Sequence, residues 1–421
     1  MRRARVPGFA LFRLAETLDT RLLAAPPSVR RLVTGLTVVV IVTTALLNVP
    51  RPYYDFQSVP LLGRVQQHAT YGPDTIADMY QARVVLNDPR DMYTKRLVEQ
   101  TPLEAQTWSK AASAPYPPAT LLLESALYAI GERTGLGLYG MVSGLAALFL
   151  LASAWYAQRT RWYLFPMLYL NFGYFGMQFF YMQQGSYLLM LTAVMGALLL
   201  ARRNRPAAHP LMALAIVLKL SPVAYLGHLP SMSRSTATLC LAIVLAGLVA
   251  PALVWENYLY IYSFHNVKGG ESETVAAFLL TVPFTIVIWY VQARLGFTWE
   301  DRIGWALVPG ALFLGLKMNS ARHLILPLLV PDRRGVRNVA AAVGLALPAL
   351  LPGIVRQNSG LLIAAVVLAI GLAYYLREVG WDVVRADLRQ PGPTLRAMLA
   401  PPAEAARTPP VSPASGGARV A

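Results

Sequence analysis

The feature that most constrains this chain is the recurrence of long apolar runs joined by short polar stretches. They lie at about 32–50, 117–131, 137–157, 162–181, 184–200, 208–226, 236–255, 275–293, 303–317, 323–331, 336–354 and 359–376. A run that crosses ~30 Å of hydrocarbon must satisfy its own backbone hydrogen bonds, so it has to be helical. The chain is therefore expected to be all-α, a polytopic membrane helical bundle with about 10–12 transmembrane helices. Composition agrees. Only 14% of residues are charged and 56% are hydrophobic, whereas a soluble domain carries about 25% charged residues.

Three regions follow from this pattern. Residues 1–31 form a basic N-terminal segment, with Leu11, Leu14, Leu18, Leu22 and Leu23 at near-helical spacing, as in a helix lying on the membrane surface. Residues 32–377 form the membrane domain. Residues 378–421 form a polar cytoplasmic tail, largely disordered from about 391, where Pro, Ala and Gly dominate. The first apolar run ends in Asn48-Val49-Pro50 and reads as an uncleaved span with its N-terminus in the cytoplasm. The protein is thus expected in the cytoplasmic (inner) membrane as a multi-pass chain. The net charge of +16 resides largely in arginines at the ends of apolar runs, where membrane lipids are the natural partner and nucleic acid is not. The single cysteine, Cys240, excludes an intramolecular disulfide.

Charge in the short joints sets the expected sidedness. With the N-terminus inside, strict alternation puts 51–116, 256–274, 318–322 and 355–358 outside. It puts Arg234, Arg294, Arg302, Arg333, Arg334, Arg337 and Arg377 inside, as the positive-inside bias requires. Arg159/Arg161 and Arg202/Arg203/Arg205 fall on the opposite side and conflict with it.

The largest polar interval is the extracytoplasmic loop 51–116. It begins Pro52-Tyr53-Tyr54-Asp55-Phe56 and contains a predicted amphipathic helix over 75–86, stopped by Asn87-Asp88-Pro89. Asp55 stands at the water boundary among Tyr53, Tyr54 and Phe56, surroundings that raise a carboxylate's proton affinity and suit a general base. Asp74 and Asp78 are the other loop carboxylates, and each can equally be a solvated helix-start charge. On the same expected face lie Tyr116-Pro117-Pro118, His265-Asn266 and Arg322-His323, the last suited to a phosphate because Arg binds phosphate oxygens in a fork. His323 can also be a packing residue at a helix start.

Two ionisable residues fall inside apolar runs, Glu124 and Lys219. Such groups cost about 2.5–3.5 kcal/mol each on insertion scales, so function or pairing is the default, with snorkelling the plain alternative for lysine. Gln183-Gln184-Gly185-Ser186 forms a turn whose glutamines could meet sugar hydroxyls. No zinc, Walker or dinucleotide spacing occurs, and neither a metal nor a cofactor is expected.

Taken in order, the pieces resemble a known family. They are Asp55-Phe56 after the first span, Asp78-x-Tyr80-x-Ala82 with a later Tyr93, Tyr116-Pro117-Pro118, Gln184-Gly185, Lys219-x-x-Pro222, and Ser320-x-x-His323. Over about residues 32–335 this resembles polyprenyl-phosphate-sugar-dependent GT-C membrane glycosyltransferases, and most closely the actinobacterial polyprenol-phosphate-mannose-dependent α-mannosyltransferases. The resemblance implies a GT-C-like helical bundle with a large first extracytoplasmic loop carrying a catalytic Asp. By position that residue is Asp55; by the Asp…Tyr…Ala pattern it is Asp74 or Asp78. It further implies a polyprenyl-phosphate sugar donor, with mannose the sugar, and a glycolipid or glycan acceptor of the cell envelope. Tyr80, Tyr116, Gln184, Lys219, His265, Asn266, Arg322 and His323 are the substrate-binding candidates. The competing expectation is a non-catalytic transporter of lipid or solute, which would place a pathway at mid-membrane.

Overall fold

The computed structural model describes residues 117–135, 185–255, 271–317, 321–330, 336–350 and 357–389. It also describes single positions between 26 and 39, at 86, between 149 and 159, and at 258, 332 and 392. Among the described residues every regular element is a helix. They are α1 (Pro118–Thr134), α2 (Gly185–Ala201), α3 (Ala208–Leu218), a 3-10 segment (Val223–Ser231), α4 (Arg234–Val244), α5 (Glu271–Arg294), α6 (Trp299–Lys317), a 3-10 turn (Ala321–Leu324), α7 (Ile325–Leu328), α8 (Val336–Leu350), α9 (Gln357–Val379) and α10 (Trp381–Arg389). A π turn (Leu245–Val249) and a 3-10 turn (Ala250–Leu253) continue α4. Among the described residues three stretches are long and apolar enough to cross a membrane: Arg234–Leu253, Ala277–Arg294 and Ser359–Val379. The chain has the helical make-up of a membrane protein.

α6 is the central post. It packs on α5, α9, α2, both 3-10 segments and α7. Its buried stripe of Ile303, Trp305, Ala306, Leu307, Val308, Ala311 and Leu312 covers nearly the whole circumference, the mark of a helix surrounded by other helices. Lipid tails are as apolar as leucine, so close fit rather than water exclusion holds such helices together, and small residues mark the closest approaches. Gly310 is one. A Cβ there would run into the backbone carbonyl of Ser221, and one at Gly304 would meet the Arg337 guanidinium. α8 and α9 pack as an antiparallel pair, with Gly371 against Val336 and Gly344 against Ala364 and the Gly360 carbonyl.

One end of the bundle collects the arginines. Arg202 pairs with Glu300 at 3.1 Å, and Arg302 Nη1 donates to Ser231 Oγ at 3.2 Å. Arg337 Nη2 donates to the Val330 carbonyl at 2.9 Å while its backbone N–H donates to Asp332 at 2.6 Å. Arg294 pairs with Asp387. Tyr156 donates to the Leu329 carbonyl at 2.7 Å, which brings Arg159, one turn further along, to the same end. This is the basic end of the bundle.

The expected span 208–226 does not cross. α3 leaves the basic end at His209, beside Trp299. It rises about 16 Å over its 11 residues and stops at Lys219, whose extended backbone closes the helix. Ser221 then packs against Gly310 of α6, and the 3-10 segment, about 18 Å long over 9 residues, returns to Ser231 at the basic end. Residues 208–231 are a half-depth hairpin. Pro222 and Pro230 explain the choice of path, since each lacks the N–H an α-helix would need. The hairpin also removes the charge conflict seen in the sequence. Arg202 and Arg159 stand at the same end as Arg294, Arg302 and Arg337. The segment expected at 323–331 is likewise short, broken into the 3-10 turn and α7.

The other apolar runs agree with helices to within a few residues where they are described. The run 162–181, most of 32–50, and the loop 51–116 apart from Leu86, which is helical and exposed, lie outside the described residues. The tail holds an element the sequence reading did not anticipate, α10.

Two tests follow. In a Cys240→Ser background, Arg203→Cys and Ser235→Cys should react with an impermeant thiol reagent from the same side, and Ser272→Cys from the other. Labelling of 203 and 235 from opposite sides would make 208–231 a full crossing. Gly310→Ala should lower thermal stability in detergent by about 1–3 kcal/mol through overpacking, whereas Gly35→Ala, where a Cβ meets nothing within 4 Å, should leave it unchanged.

Candidate functional site

The hairpin tip is where polar groups gather inside the apolar bundle. The last four carbonyls of α3 have no partner within the helix. One of them, Leu218, accepts a 2.7 Å hydrogen bond from Thr120 Oγ1 of α1. Thr120 is in the first turn of α1, whose start is built by Pro117 and Pro118: the Pro117 carbonyl accepts from the N–H groups of Thr120 and Leu121 at 3.0 and 3.3 Å, and Pro at the first helical position has no N–H to lose. Glu124 lies one turn on from Thr120, on the face turned toward the tip, and is buried. Lys219 follows Leu218 directly and is half-buried. At the carboxyl end of α3 its charge meets the negative end of the helix dipole. Ser221 is buried, and its hydroxyl has no hydrogen-bond partner among the described residues.

Small residues open the room for this tip. Gly247 of the π turn after α4 sits against Val217, and a Cβ there would collide with both methyl groups. The helix loses its α register where it meets the tip, as π turns do where something presses on a helix.

His323 reaches a similar height by a different route. Leu324 packs against Gly344, just over two turns along α8 from Val336. Ser221 packs against Gly310, just under two turns along α6 from Gly304. Both contacts are thus about 10 Å above the Gly304–Arg337 contact. His323 is buried, and Arg322 belongs to the same 3-10 turn. That turn packs on α6, as the hairpin does.

At the basic end an aromatic layer anchors the two feet of the hairpin. His209 Nδ1 and Tyr225 Oη are 2.6 Å apart. The Trp299 ring meets His209 edge-on at 4.5 Å and lies 6.3 Å from His228. His228 also faces Tyr225 and Trp289, and the Arg302 guanidinium lies over Trp299 at 5.3 Å. Tyr225, His228 and Arg302 are buried. None of these residues was singled out from the sequence for a site. The only local signal is the helix-like spacing of Tyr225 and His228; the rest is long-range.

Of the candidates, Lys219, Arg322 and His323 are placed as above. Asp55, Asp74, Asp78, Tyr80, Tyr116, Gln184, His265 and Asn266 lie outside the described residues. The structure joins two sequence motifs nearly a hundred residues apart, the helix opened by Tyr-Pro-Pro and the Lys-x-x-Pro break, through Thr120 and Leu218. No three His, Cys, Asp or Glu side chains converge among the described residues. Thr120→Val should leave the Leu218 carbonyl orphaned in an apolar setting and cost about 1–3 kcal/mol, read as a fall in melting temperature. Thr120→Ser should recover most of it. Equal stability of all three would show that the hydroxyl is dispensable. No family model, curated protein or solved structure matches the chain.

Proposed function

We propose that this chain is a GT-C-like membrane glycosyltransferase that moves a sugar from a polyprenyl-phosphate donor to a glycolipid or glycan acceptor. The sugar implied by the resemblance is mannose. The observation that carries the reading is the Thr120–Leu218 hydrogen bond, which gathers α1, Glu124 and Lys219 at one half-depth tip. A hairpin that rises only halfway from the basic end presents its lysine to ligands arriving from the opposite end. On this reading the basic end is cytoplasmic, by the positive-inside bias, and the loop 51–116 is extracytoplasmic provided that α1, whose first turn meets the half-depth tip, starts at that depth and returns to the side away from the basic end instead of crossing.

In the proposed reaction a loop carboxylate, Asp55 by position or Asp74 or Asp78 by pattern, takes the proton of the acceptor hydroxyl. The hydroxyl oxygen forms a bond to the anomeric carbon with inversion, and the bond from that carbon to the phosphate oxygen breaks. Polyprenyl phosphate leaves with the electron pair. Lys219 and Arg322 offset the phosphate charge, Arg322 as a two-pronged donor and Lys219 as a point charge. His323, Gln184, Tyr80, Tyr116, His265 and Asn266 are assigned to substrate binding.

A second reading has a specific observation in its favour. The half-depth hairpin 208–231 and the broken segment 321–330 bring ionisable residues to mid-depth, and paired interrupted helices are a transporter device. Purified protein in proteoliposomes with labelled polyprenyl-phosphate mannose and a panel of acceptors separates the two. Asp55→Asn should lower turnover by about 10²–10⁴-fold with donor binding retained, and Lys219→Met should weaken donor binding. No transfer to any acceptor, together with counterflow of the labelled lipid, would replace the enzyme reading with the transporter one.

A further inference from the structure

The element left over is α10, the nine-residue helix after the last candidate span. Gly380, at φ +98, turns the chain sharply out of α9, and the Val384 N–H already donates to the Gly380 carbonyl at 3.0 Å. The left-handed backbone there favours glycine, so the bend is written into the sequence. Asp387 then pins α10 sideways. Its carboxylate pairs with Arg294 and accepts 2.7 Å from the Tyr290 hydroxyl, both in the last turns of α5. α5 and α9 include two of the three stretches able to cross a membrane among the described residues. A helix tied to the ends of both lies at the level where hydrocarbon gives way to head groups.

Its faces suit that level. Trp381, Val384 and Leu388 recur at helical spacing along one edge. Trp381 is 51% exposed and Leu388 is 76% exposed. Arg385 and Arg389 flank that edge and are exposed, with the exposed Asp382 further round the same flank, and Arg377 is exposed beside Glu378 at the end of α9. Asp387, the acid on the opposite flank, is occupied by α5. An open tryptophan–leucine edge beside a row of guanidiniums is the composition of a helix lying in the interface of an anionic bilayer.

We propose that α10 is a membrane-surface clamp. Trp381 and Leu388 enter the boundary between head groups and acyl chains, Arg385 and Arg389 hold anionic lipid phosphates, and the Asp387 tie to Arg294 and Tyr290 sets the roll of the helix so that this edge faces the lipid.

The test uses the full chain with Cys240→Ser, a nitroxide on Leu388→Cys or on Asp382→Cys, and nanodiscs of phosphatidylcholine with or without phosphatidylglycerol. Position 388 should be relaxed more by oxygen than by a water-soluble nickel chelate, and position 382 the reverse. Phosphatidylglycerol should shift 388 further toward oxygen, and Arg385→Gln with Arg389→Gln should abolish that shift. Asp387→Asn should blur the difference between 388 and 382. A label at 388 that stays nickel-accessible in both bilayers overturns the clamp, as does one shielded from both reagents, which would mean a protein cover. A phosphatidylglycerol shift that survives the double arginine variant overturns the phosphate contact.

Discussion

A backbone carbonyl inside an apolar bundle must find a donor, and the hairpin 208–231 is arranged around that requirement. A helix that stops at half depth leaves its last carbonyls inside the bundle, where a group left unsatisfied in hydrocarbon costs several kcal/mol. Here the Thr120 hydroxyl meets the Leu218 carbonyl. The Lys219 N–H still donates to Ala215, and those of Val223 and Tyr225 donate to Leu220 and Pro222 within the turn. The glycines at 247 and 310 follow from the same need, because the turn can be satisfied locally only if neighbouring helices come close enough to enclose it. The polar character of the tip is thus a consequence of where α3 ends. Lys219 and Glu124 sit where the fold has already accepted polar backbone.

The aromatic layer at the other end answers a different problem. Two short arms, one α and one 3-10, do not hold each other by a shared hydrogen-bond ladder. Trp299 stands between His209 and His228, and Tyr225 closes the gap by its bond to His209. Arg302 ties Ser231, the final residue of the returning arm, to α6. α4 then starts cleanly, with Ser233 Oγ accepting the Thr236 N–H at 3.3 Å, a cap typically worth about 1 kcal/mol.

How far the sequence disclosed this depends on the range of the physics involved. Helices such as α5 and α9 were legible because length and apolarity are local properties. The hairpin was not, since Ala-Leu-Ala-Ile-Val-Leu has the same periodicity whether it crosses or turns back. The only signs were Lys219, Pro222 and Pro230, together with the misplaced Arg202, Arg203 and Arg205. That charge conflict was the sharper clue, because a wrong crossing count reverses every loop around it. α10 was hidden by its brevity and its four charges, which read as tail until Arg294 and Tyr290 were seen to hold Asp387. The Thr120–Leu218 pairing joins two segments whose separate signals, Pro-Pro and Lys-x-x-Pro, say nothing about each other. The loop carboxylates, read from the sequence as the chemical centre, belong to residues outside those described, so Asp55 remains a proposal.

The returning hairpin also has a consequence for parity. α2 arrives at the basic end and α4 departs from it, so everything between them is an even step that leaves the sidedness of the later helices untouched. A segment of that kind can be lengthened, shortened or recomposed during descent without inverting the chain that follows, whereas the loss of any true crossing would turn the remainder upside down. Variation is therefore cheapest in the insert that carries a lysine into the middle of the bundle, and the surrounding architecture stays fixed while it changes.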